Sequence, residues 1–400
     1  MRIQKIAKAT ITAAATFALA VAPAFAATTG ATSVINSGDN ATVNSTTSSN
    51  SNVAVSNSNF ADISQHVDAS ANTGGNQASG NISLGGAGAS INTGTAGVTT
   101  NLGVDVNKNN TAVAGNTGNA ANLTDVVNTG DYANVNTSTT NTNNVAVTNS
   151  NYASVSQSAW EKANTGYNQA NDNIGGATIN TGAAGVSTGF GVTANSNNTA
   201  VGGTGWGALT VGGPLNDTSV TNTGDNVYVN SNANTSNTVA VSNYNDLWAS
   251  QDISAIANTG KNRANNNIGG VTSINTGAAG VGTGASVNAN TNWTGVAGGF
   301  GGGLGFNASD IVNTGNDLVT NTNVSDDSVV GVSNANSVWS YQDVWSHASS
   351  GKNQTNDNIA GHTVIGTSNA AVGACLGFLG NNNTTAIGSW VGGLMSWLTM

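Results

Sequence analysis

Residues Val145 to Gly166, VAVTNSNYASVSQSAWEKANTG, alternate strictly along their first half. One face carries Val145, Val147, Asn149, Asn151, Ala153, Val155, Gln157 and Ala159; the other carries Ala146, Thr148, Ser150, Tyr152, Ser154, Ser156, Ser158 and Trp160. Alternation of this length predicts β-structure, because successive side chains of an extended chain point to opposite faces. Asn149, Asn151 and Gln157 share a face with Val and Ala, which predicts amides buried in register with apolar residues.

Working outward, the glutamine recurs as Gln65, Gln157, Gln251 and Gln342, at spacings of 92, 94 and 91 residues. A turn glycine lies 27 residues before each one, at Gly38, Gly130, Gly224 and Gly315, and another lies nine residues after, at Gly74, Gly166, Gly260 and Gly351. A 36-residue block therefore repeats without insertion or deletion in four copies. Fixed length in so polar a sequence predicts copies stacked in register. The inward parity holds from Ala133 through Ala163, which favours a strand that passes through any bend without a two-residue hairpin loop. Further turns follow at Gly94, Gly182, Gly277 and near Gly366, where glycine is expected to supply positive φ. Trp206 to Leu215 and Phe300 to Phe306 read as loop insertions, the first containing Pro214.

The chain opens on Arg2, Lys5 and Lys8, an apolar run from Ala9 to Ala22, and Ala24-Phe25-Ala26, which reads as a signal peptide too short for a membrane span. Its removal leaves five basic against 18 acidic residues, a net charge of −13, which argues against nucleic acid as a partner. The single cysteine, Cys375, excludes an intramolecular disulfide framework and reads as a small buried residue, with a reactive or intermolecular thiol as the alternative. The expected organisation is a signal peptide (1–26), four repeats (34–125, 126–219, 220–310 and 311–386) and an apolar C-terminal tail (387–400). The expected fold is all-β, a β-solenoid (β-helix) of four tandem units, with tandem β-sandwich units as the alternative.

An unpaired buried amide costs about 1–3 kcal/mol, so inward amides demand partners. Stacking supplies them: Asn59, Asn151, Asn245 and Asn336 are expected to form one ladder and Gln65, Gln157, Gln251 and Gln342 another. Asn59-Phe60-Ala61-Asp62-Ile63-Ser64-Gln65 and Asn151-Tyr152-Ala153-Ser154-Val155-Ser156-Gln157 resemble the N-x-A-x3-Q element of curlin repeats, found in bacterial amyloid-like surface fibres. Copies three and four keep the Asn and Gln but have Leu247 and Val338 in place of the alanine. Gly74 to Ala78 and Gly166 to Ala170 resemble the curlin G-x-x-N-x-A turn element with one residue fewer, although the copies here are far longer than curlin repeats. The resemblance implies an extracellular fibre or matrix protein.

Catalytic chemistry has little material. Glycoside hydrolysis needs two carboxylates at one cleft, whereas Glu161 is the only glutamate and Asp39, Asp131 and Asp225 follow turn glycines. Those turn carboxylates lack the spacing of Ca²⁺-binding β-rolls, and His66, His347 and His362 are dispersed, so no metal or cofactor is expected. No G-x-S-x-G elbow with a base occurs, and no enzymatic activity is expected. On the outward parity, Phe60, Tyr152, Trp160, Tyr244, Trp248, Trp339 and Trp345 are candidates for binding a polysaccharide or a protein surface. In the tail, Trp390, Leu394, Trp397 and Leu398 are candidates for capping or assembly. The expected function is a secreted structural surface protein: a fibre subunit, biofilm matrix component or adhesin that associates with itself or with surface components. A polysaccharide-binding or polysaccharide-cleaving β-helix is the alternative, and ice binding through Thr-rich runs such as Thr137 to Thr142 is a minor one.

Overall fold

A computed structural model of the chain describes residues 5–21, 28–36, 40–83, 88–113, 120–201, 215–296 and 306–387. These residues form an all-β structure of stacked parallel sheets, and none of them is helical. The block around Val145 to Gly166 is one uninterrupted strand, β7 (Tyr132–Asn164), and its counterparts are β3 (Asn40–Asn72), β11 (Val227–Asn258) and β15 (Leu318–Ser349). At about 3.3 Å per residue in a parallel sheet, strands of 32 to 33 residues extend for roughly 100 Å.

Pairing runs between copies. β3, β7, β11 and β15 lie side by side in sequence order, all parallel, with Gln65, Gln157, Gln251 and Gln342 in register. The same order holds for β2 (Thr28–Asn36), β6 (Ala120–Asn128), β10 (Leu215–Asn222) and β14 (Phe306–Asn313). It holds again for β4 (Ala89–Asn92), β8 (Ala177–Asn180), β12 (Val271–Asn275) and β16 (His362–Gly366). The fourth sheet comprises β5 (Ala96–Val113), β9 (Ala184–Val201), β13 (Ala279–Val296) and β17 (Ala370–Ile387), with β1 (Lys5–Val21) as a fifth strand beside β5. Among the described residues no strand pairs with another of its own copy, which is the solenoid class of arrangement; independent tandem sandwiches would pair within a copy.

The core is thin and lies between the sheets. The start of each long strand faces the short sheet, where Val43, Val135 and Val229 pack on Val126 and Val220. The remainder faces the 18-residue strands, which run back along it: Val145 and Val147 meet Val113 and Val201, while Ala159 and Ala163 meet Val98 and Leu102. Inward side chains of β7 are buried along the whole strand, and outward ones are partly or fully exposed as far as Lys162.

Two expectations are corrected. The NTG glycines do not supply positive φ; that falls on neighbours such as Tyr167, Lys261 and Lys352. They are needed because successive turns stack backbone on backbone: a Cβ on Gly182 would lie 2.4 Å from the carbonyl of Gly94, and one on Gly166 would lie 2.0 Å from the Gly260 oxygen. Cys375 is exposed rather than buried, because it stands on the outward parity of β17, in register with Gly284 and Gly189. The predicted insertions, Pro214 and the tail candidates Trp390, Leu394, Trp397 and Leu398 lie outside the described residues, apart from Leu215 and Phe306, which begin β10 and β14.

Candidate functional site

Identical side chains brought into register across parallel strands sit about 4.8 Å apart, within reach for amides to bond along the stack. Asn59 Nδ2 donates to Asn151 Oδ1 at 3.1 Å, Asn151 to Asn245 at 2.9 Å, and Asn245 to Asn336 at 2.9 Å. Asn57, Asn149, Asn243 and Asn334 form a parallel ladder with steps of 2.7, 2.8 and 2.7 Å. The glutamines bond in the opposite sense: Gln342 donates to Gln251, Gln251 to Gln157, and Gln157 to Gln65, at 2.7, 2.8 and 2.8 Å.

A ladder that the sequence reading missed faces the first. Asn109, Asn197, Asn292 and Asn383 bond in turn along the opposite sheet at 2.9, 3.0 and 2.8 Å. The two ladders interlock. Asn109 donates to Asn151 at 2.8 Å, Asn151 to Asn197 at 2.7 Å, Asn197 to Asn245 at 2.8 Å and Asn245 to Asn292 at 2.7 Å. Asn59 donates in turn to Asn109 at the start of this zigzag. Each interior amide thus sends one hydrogen along the stack and one across the core, so the desolvation of its N–H groups is compensated. A backbone irregularity makes this facing possible: Asn107, Asn195, Asn290 and Asn381 take positive φ, and their own side chains form a further ladder.

One buried group departs from the pattern. Glu161 points inward at full burial, in register with Ala69 and Ala255. Thr188 donates to its Oε2, while Oε1 and the buried Thr100 hydroxyl have no hydrogen-bond partner. Burial pushes the carboxyl above its ordinary value of 4.5, and the hydrogen bond from Thr188 acts against that shift. Its surroundings are the interior of the stack and not a cleft. Among the described residues no group of three His, Cys, Asp or Glu is placed to hold a metal.

The outward aromatics all stand on one face of the long-strand sheet, exposed from 39% (Tyr152, Trp248) to 72% (Phe60). Register groups several of them. Trp248 and Trp339 stack at 5.0 Å and 1°, and Phe60 and Tyr152 at 5.1 Å and 8°. These rings turn their faces to one another along the stack and their edges to solvent. Trp345 stacks on His347, whereas Trp160 is flanked in register by Asp68 and Ser254. The run Thr137 to Thr142 is divided between faces, with Thr137 and Thr139 buried. Comparison of the chain with family models, with curated proteins and with solved structures found no match.

Proposed function

We propose that the chain is an exported β-solenoid of four coils, one per repeat, and that it serves as a structural protein outside the cell: a fibre subunit, a matrix component or an adhesin. The continuity of the amide net carries this reading. Asn and Gln positions that bond from Asn59 to Asn383 and from Gln342 to Gln65 run through the interior as register-setting contacts between its apolar clusters. The acidic composition, the signal-like N-terminus and the curlin-like elements all point the same way. Negative-stain microscopy of the chain beginning at Ala27 tests it: filaments or sheets are expected, and folded particles that never associate with themselves, with cells or with matrix would overturn it.

A second reading, polysaccharide binding, is favoured by Trp160, whose exposed ring has no aromatic neighbour along the stack. A glycan array on the same protein distinguishes the two, with binding lost in Trp160→Ala if this reading holds.

A further inference from the structure

The two ends of the stack differ. In the last copy, core positions that are buried elsewhere lie open: Leu376 is 53% exposed, whereas Ala285, Phe190 and Leu102 in the same column are 2–4% exposed. At the first copy, β5 is covered by β1, the greater part of the predicted signal peptide, which pairs with it in parallel over 16 residues. The register shows what kind of cover this is. Phe17 lies opposite Asn109 and Leu19 opposite Thr111, at positions where β9, β13 and β17 carry Asn and Thr. β1 therefore ends the Asn109 ladder where another copy's strand would continue it.

The unfinished ends of the net are complementary. Among the described residues nothing donates to Asn59 Oδ1 at the first copy, and Asn383 Nδ2 finds no acceptor at the last, although Asn383 Oδ1 accepts from Asn336 at 2.7 Å. An Asn383 placed before a second molecule's Asn59 repeats the step by which Asn292 donates to Asn336 at 2.8 Å. Strand lengths agree as well, with 32 residues in β15 against 33 in β3, and 18 in both β17 and β5.

We propose that the first-copy end is the docking surface for the last copy of a second molecule of this chain, and that Lys5–Val21 holds the place of β17 until it is removed. Resting on the structural reading above, this assigns the fibre a polarity and the signal segment a second role. Removal is hydrolysis of the Ala26–Ala27 peptide bond by a signal peptidase, with one water consumed. The placeholder then leaves β5 and Asn109 open to the incoming strand.

The test compares chain 1–400, produced without export, with chain 27–400 by light scattering and electron microscopy, with circular dichroism on each. The shorter chain is expected to elongate at least tenfold faster, to be slowed by added peptide 5–21, and to lose assembly but not strand signal on Leu376→Lys. Equal assembly by both chains overturns the placeholder and leaves the fibre reading standing; assembly by neither overturns both. A 27–400 chain without strand signal also overturns the proposal, because β1 would then be an integral part of the fold. Undiminished assembly of the Leu376→Lys variant overturns the docking surface.

Discussion

Asn151 and Asn197 are hydrogen-bonded across the core, Nδ2 to Oδ1 at 2.7 Å, while the other amide hydrogen of Asn151 goes along the stack to Asn245. This pairing sets register in two directions at once. A slip of one residue would break the bonds along the stack and carry the whole inward set to the outer face.

Replacing Asn151 should expose that dependence. Asn151→Leu leaves Asn59 and Asn109 each short of an acceptor and is expected to cost about 1–3 kcal/mol. Asn151→Asp keeps the shape, loses both donors and buries a charge, so at neutral pH it should cost more than the leucine variant. Denaturant unfolding of the two measures this, and two variants as stable as the parent would contradict the net.

Glu161 predicts an unusual pH dependence. Well below pH 4.5 the carboxyl is protonated whether the chain is folded or not. As pH rises the unfolded chain ionises first, so stability falls until the buried, up-shifted group ionises too. Glu161→Gln should therefore raise the unfolding midpoint at pH 7, have little effect at pH 4, and flatten the slope between. An unchanged slope would mean that the side chain is solvated.

Backbone stacking at the corners makes a matched pair of glycine tests. Gly182→Ala forces a Cβ against Gly94 and should cost about 1–3 kcal/mol, whereas Gly280→Ala meets open space and should be neutral to slightly stabilising. Thermal unfolding of both variants reports the contrast, and equal effects would contradict the stacked-turn geometry.

The Trp248 and Trp339 rings should couple by about 0.5–1.5 kcal/mol in a double-mutant cycle to alanine. Additivity of the two single changes would mean that the rings point apart in solution. Cys375 should react with a maleimide in the native chain without denaturant; protection until denaturant is added would contradict its exposed position on β17.

How far these features could be read from sequence depends on what fixes them. Asn59, Asn151 and Gln157 were legible because the 36-residue block keeps constant length, so alternation alone assigns their face. Asn109 and Asn197 were not, since the positive-φ residues Asn107 and Asn195 shift parity inside the strand, and the offsets there run 88, 95 and 91 residues. Glu161 sat on the inward parity in plain view, but an unrepeated acid offers no pattern to align. The turn glycines are legible by position but not by cause, because close approach between copies is a tertiary fact that a single turn does not contain.

Fibre diffraction from aligned assemblies of chain 27–400 tests the central claim most directly. Four strands stacked at about 4.8 Å predict a meridional reflection at that spacing and a molecular repeat of roughly 19 Å along the same axis. Strands running along the fibre, or filaments without the molecular repeat, would contradict an end-to-end stack.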